Sequence, residues 1–184
     1  MSALIEQLRA LVPDDESEAA SLSRIIAHVE AGGELFARDR WDGHLTASAF
    51  IIDSTREHVL LLLHKKLGKW LQPGGHGDPG ERDPLVVAKR EALEETSLQG
   101  LELASWAPQP FDVDVHEIPA RKDEPQHQHL DIRYLFVAPP GVSPVLDPNE
   151  SQGWAWVSLK GDSRYPSDHS VERACAKIMR LTSR

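Results

Sequence analysis

The 184-residue chain has one cysteine, fewer basic than acidic residues (20 Lys and Arg against 29 Asp and Glu) and no apolar run long enough to span a bilayer. The lone cysteine excludes an internal disulfide. It also falls in the stripe Val171, Ala174, Cys175, Ile178, Leu181, whose spacing predicts the inner face of a C-terminal helix, so the thiol reads as core and not as a nucleophile. A net charge of -9 excludes long-range attraction to a nucleic-acid polymer, while a local basic patch still suffices for a short phosphate. No membrane partner is expected. The N-terminus lacks a basic region followed by a hydrophobic stretch, and a cytoplasmic location is expected.

Internal repeats and low-complexity tracts are absent as well, which points to one domain with a helical preface. Leu4, Ile5, Leu8 and Leu11 stand at helical spacing before Pro13-Asp14-Asp15, and Leu22, Ile25, Ile26 and Val29 repeat the pattern up to Gly32-Gly33. From His44 onward the pattern predicts strands: 44–52, 59–64, 101–106, 111–116, 129–137 and 154–157. With a helix at about 84–97 and another at the C-terminus, the expected architecture is α/β, a mixed sheet between helical layers. The expected partition is an N-terminal helical extension, 1–42, for packing or self-association as a homodimer, and a main domain, 43–184.

The densest chemistry lies in residues 74–98, a glycine-rich loop running into a helix with Glu91, Glu94 and Glu95 at i, i+3 and i+4. That spacing gathers three carboxylates within roughly a 100° arc of the helix surface. Their mutual repulsion is relieved by a hard divalent cation such as Mg²⁺, which prefers carboxylate oxygens. A solvated acidic helix face is the simpler alternative. Asp83 and Pro84 suit the N-cap and first helical position, and Ser97 stands where a glycine would end the helix, so the helix is expected to run on toward Gly100.

Through Gly75, Glu81, Arg90, Glu91, Ala92, Glu94, Glu95 and Leu98 the segment resembles the Nudix hydrolase signature, G-x5-E-x7-R-E-U-x-E-E-x-G-U with U aliphatic. It departs in having eight residues between Glu81 and Arg90 and in Ser97 for the final glycine; the extra residue is assigned to the loop before the helix. The wider string 43–49 with 66–76 looks like a recurrent bacterial subgroup of that family.

The resemblance implies a Nudix-type α/β/α sandwich and a Mg²⁺- or Mn²⁺-dependent hydrolase. Its substrate would be a small molecule, a nucleoside diphosphate linked to another moiety, cleaved at a phosphoanhydride by metal-activated water. It assigns the metal to Glu91, Glu94 and Glu95 with the carbonyl of Gly74, and to Glu150, a metal-binding or proton-accepting position. Arg90 would orient a glutamate by a charge-assisted bond, and Glu81 would support the loop from behind. Lys65, Lys66 and Lys69 precede the loop and either meet phosphate or are solvated. Two other classes share the fold: a silent nucleotide-sensing module and a diphosphate-ester isomerase.

His127, His129, Asp131 and Arg133 alternate with Gln128, Leu130, Ile132 and Tyr134, which places the four polar residues on one strand face. Three readings are open: a polar stripe on an exposed strand, a two-His-one-Asp transition-metal site, or a substrate-binding face opposite the glutamate helix. In the last, the face contacts the phosphate or leaving group and the charged segment 121–126 forms a mobile flank.

Overall fold

The computed structural model describes residues 2–121, 124–149 and 151–183. Helix α1 (Ser2–Ala10) and helix α2 (Glu16–Ala31) come first, the latter capped by Asp15, whose carboxylate accepts from the Glu18 amide, and closed at Gly32, φ +73°. Strands β1 (His44–Ile52), β2 (His58–His64), β3 (Trp70–Leu71) and β4 (Gly74–His76) lead into helix α3 (Pro84–Thr96). Then follow β5 (Glu102–Leu103), β6 (Asp112–Ile118), β7 (His127–Val137), β8 (Ser151–Ser158) and helix α4 (His169–Thr182).

Among the described residues these strands form one eight-stranded mixed sheet, running β3-β2-β1-β7-β5, with β8 on β2, β4 on β1 and β6 on β7. The β1–β7 pair is parallel over nine registered residues, from His44↔His129 to Ile52↔Val137; the other pairs are antiparallel. Every residue of β1 is buried, as expected of a strand covered on both faces. Its odd-numbered residues Leu45, Ala47, Ala49 and Ile51 pack with Val87, Ala88 and Ala92 of α3, and the small alanines let the helix approach closely. Its far end on the other face, Phe50 and Ile52, packs with Val171, Ala174, Cys175 and Ile178 of α4.

Leu8, Ile25 and Val29 belong to the same apolar cluster as Leu45 and Leu130, so α1 and α2 close the α3 side of the core. The Lys177 ammonium of α4 donates to the fully buried Glu18 carboxylate of α2 at 2.5 Å, an ion pair that joins the two ends of the chain. Cys175 is buried as expected, and burial pushes its thiol up to about 12. No helix among the described residues is long and apolar enough to cross a membrane.

The structure corrects four local expectations. The strand expected over 101–106 is cut to Glu102–Leu103, because the chain turns at Ala104, whose carbonyl accepts from the Ala107 amide. Part of the glycine segment is β4, a ladder strand on β1 and not a free loop. The helix does not run on toward Gly100: Ser97 itself takes the left-handed conformation, φ +54°, and its amide bonds the Leu93 carbonyl. Finally, β7 is no exposed strand: apart from the half-buried Gln128, His129 and Val137, its residues are buried.

A serine in the left-handed region is disfavoured by about 1 kcal/mol relative to glycine. Ser97→Gly is therefore expected to stabilise the protein by about 0.5–1 kcal/mol in urea unfolding, and Ser97→Val to destabilise it. A loss of stability in Ser97→Gly contradicts this account of the helix end.

Candidate active site

Asp83 caps α3 by accepting from the Leu85 amide at 2.9 Å, and Pro84 occupies the first turn, so the extra residue before the helix leaves its register intact. Three carboxylates and one backbone carbonyl then meet at one guanidinium. Arg90 donates through Nε and Nη2 to the two Glu81 oxygens at 3.1 and 2.9 Å, and through Nη1 to Glu91 and Glu94 at 2.9 Å each. Its Nη2 also donates to the His76 carbonyl of β4 at 2.8 Å. The bidentate bond to Arg90 is the main reason that Glu81 lies below the usual carboxylate range; the same bond raises the guanidinium further above its own. Glu81 in turn accepts from the Asp78 amide at 2.7 Å, which tightens the glycine loop.

The three helix glutamates share one arc yet sit in three environments. The Glu94 side chain is 56% exposed, that of Glu91 only 13%, and Glu95 is buried, accepting the Gly74 amide at 3.0 Å. Gly75 is bare where it meets Glu91: a methyl group there would sit 2.7 Å from the carboxyl carbon and 2.8 Å from both oxygens. Gly74 turns the other way, where a methyl would lie 2.4 Å from the Ser48 hydroxyl and 2.7 Å from the Ser48 Cα. An oxygen-rich carboxylate set laid against bare backbone suits a hard divalent cation. Glu150, expected to complete that set, lies outside the described residues.

The alternating residues of β7 do share a face, the one turned away from α3. They join the even-numbered residues of β1 there: Asp131 accepts from Thr46 at 3.1 Å and from Ser48 at 2.9 Å. Arg133 is buried, with bonds to Asp131, Asp112 and Ser170 at the start of α4, and Arg173 shares Asp112. The exposed-stripe expectation is thus corrected. His127, Asp131 and Arg133 are buried; partners distant in sequence match the polarity of Asp131 and Arg133, the near Pro125 carbonyl that of His127, and of the four only His129 keeps partial exposure. Sequence reasoning also missed His44, His76, Asp112 and Arg173. The period-two spacing of His44, Thr46 and Ser48 carried part of that signal; the register with β7 did not appear in it.

His76 and His129 face each other, Nε2 to Nε2, at 3.1 Å. Burial, followed by the neighbouring imidazoles, lowers His129 to about 2, and burial with Arg38 lowers His76 to about 4. Both rings are neutral near pH 7.

Residues 42–166 match the NUDIX domain. A probable DHNTP pyrophosphohydrolase of Lactococcus lactis subsp. cremoris is 32% identical over 136 residues, 72% of this chain and 76% of the relative. A putative 8-oxo-dGTP diphosphatase of Bacillus subtilis is 33% identical over 114 residues, 61% of this chain and 66% of the relative. Among solved structures, a C. elegans Ap4A hydrolase binary complex superposes with a TM-score of 0.60 at 20% identity, covering 76% of this chain and 97% of that one, which shows the fold. The chain belongs to the NUDIX family and is a Nudix-type hydrolase.

Two measurements check this geometry. Gly75→Ala is expected to keep the melting temperature, because the Glu91 carboxylate can swing aside, and to lower turnover by about tenfold or more, because that carboxylate is then misplaced. Unchanged turnover contradicts the placement of Glu91. Because His129 is held neutral in the fold, the unfolded chain gains a proton that the native state refuses once the pH drops below about 6.5. The shift costs nothing above that pH and destabilises the fold progressively as pH falls toward the folded value. The melting temperature should decline from pH 7 to 5, above the range where carboxylates titrate, and His129→Asn should flatten the decline; a flat wild-type profile contradicts the burial.

Proposed function

We propose that the enzyme hydrolyses a phosphoanhydride bond in a nucleoside diphosphate linked to another moiety, with Mg²⁺ or Mn²⁺ held by Glu91, Glu94, Glu95 and the Gly74 carbonyl. Glu150 belongs to the same proposed set. The observation that carries this reading is the Arg90 cluster, in which one guanidinium orders Glu81, Glu91 and Glu94 and clamps the His76 carbonyl beside them. The two curated relatives, named as a pyrophosphohydrolase and a diphosphatase, support the same bond class.

When bound, the divalent cations neutralise phosphate charge and lower the pKa of a water. The chain's own residues do the rest. Arg90 holds Glu91 and Glu94 at fixed azimuths on α3. Glu95, fastened to the Gly74 amide, fixes the glycine strand against the helix. Glu81 keeps Arg90 in position from the far side. A carboxylate of this set takes the proton of the attacking water; strongly coupled glutamates share that titration. Asp131 and Arg133 brace the polar face of β7 beneath the partly exposed His129. In this reading residues 1–42 are a buttress to the 43–184 domain, and the enzyme acts on small molecules in the cytoplasm.

Glu94→Gln and Glu95→Gln each remove charge at constant volume and are expected to lower turnover by about a hundredfold or more with the fold intact. The assay is a chromatographic panel of nucleoside triphosphates, dinucleoside polyphosphates, nucleotide sugars and ADP-ribose with Mg²⁺ and Mn²⁺. Near-wild-type rates in both variants sink the metal assignment. A folded, metal-binding wild type without turnover on any member would mark a sensing module, and a product of unchanged mass would mark an isomerase.

A further inference from the structure

Four histidines close one end of the β1–β4–β7 ladder, and the glutamate chemistry uses none of their rings. His44 is 1% exposed, and neither of its ring nitrogens has a hydrogen-bond partner among the described residues. The Arg40 carbonyl favours its protonated form without making a well-formed bond, and burial outweighs that pull. Two unmatched polar atoms on a fully buried ring demand an explanation.

The neighbours supply one. His127 Nδ1 lies 2.8 Å from the Pro125 carbonyl, which only accepts, so Nδ1 carries the proton and Nε2 presents a lone pair. A backbone carbonyl fixing the far nitrogen in this way is the usual arrangement behind a metal-ligating histidine. The His76 and His129 Nε2 atoms are 3.1 Å apart, a separation suited to one shared proton. Ligand atoms of His44, His127 and His129 all lie within 4.8 Å of one another. Metal–nitrogen bonds of about 2.0–2.1 Å in a tetrahedron call for nitrogens about 3.3 Å apart, which modest ring rotation reaches. The Trp41 ring stands edge-on to His127, centroids 5.6 Å apart, and shields the cluster.

We propose that His44, His127 and His129 form a binding site for a Zn²⁺-like transition-metal ion, separate from the glutamate site. Imidazole nitrogens suit this class of ion and are poor ligands for Mg²⁺. Such an ion ties β1 to β7 beside His76, whose carbonyl Arg90 grips. This assigns the two β7 histidines to an ion in preference to direct contact with substrate.

The test uses the full chain, stripped with a chelator, dialysed, and titrated with Co²⁺ in excess Mg²⁺. The expected result is one equivalent of Co²⁺ with the visible absorption of tetrahedral cobalt, together with a rise of several degrees in melting temperature on adding Zn²⁺. The absorption should persist in Glu94→Gln/Glu95→Gln and vanish in His127→Asn/His129→Asn, whose far-ultraviolet circular dichroism reports folding. The proposal is overturned if the unaltered protein gives neither the tetrahedral absorption nor the Zn²⁺ shift. A band that survives loss of the histidines, or that disappears with the glutamates, overturns it equally. Should the histidine variant fail to fold, the unaltered protein and the glutamate variant still decide.

Discussion

The candidate site depends on one guanidinium. Arg90 joins the loop through Glu81, the helix through Glu91 and Glu94, and the sheet through the His76 carbonyl. Only a planar, multi-donor cation makes these bonds at once; a lysine ammonium has three donors and no fork to match the Glu81 carboxylate. The cluster also resolves an electrostatic conflict. Glu91 and Glu94 lie close enough to repel, and the arginine between them relieves that repulsion.

Strand β4 divides this chemistry between the two faces of the sheet. Its three residues alternate: Gly74 packs on Ser48, Gly75 on Glu91, and His76 on His129. The glycines are required by the close approaches on either side. A strand this short makes few ladder bonds, so side-chain and amide contacts hold it: Glu95 to the Gly74 amide and Arg90 to the His76 carbonyl. Any group that fixes His76 therefore also fixes the backbone beside Glu91.

Much of this was legible in the sequence because the determining interactions are local. The Asp83 cap, Pro84 and the Arg90–Glu94 register fix the start and face of α3 within a few residues, and the apolar stripe around Cys175 places α4. The alternation in β7 was legible too, but not its burial. Asp131 and Arg133 are matched by Ser48, Asp112 and Ser170, partners that a parallel pairing and a distant helix supply. For the same reason the spacing of His44 was only part of its signal: its significance comes from facing His129 across the β1–β7 ladder. The shortness of β5 and the left-handed Ser97 reflect tertiary demands that outweigh local preference.

The central claim is that the glutamate face of α3, ordered by Arg90, holds the divalent cation for phosphoanhydride hydrolysis. Anomalous diffraction from crystals equilibrated with Mn²⁺ tests it most directly. The account predicts a peak about 2.0–2.2 Å from carboxylate oxygens of Glu91 and its helix neighbours, next to Gly74. No peak at α3 with millimolar Mn²⁺ present, in crystals whose glutamates are well ordered, would contradict it.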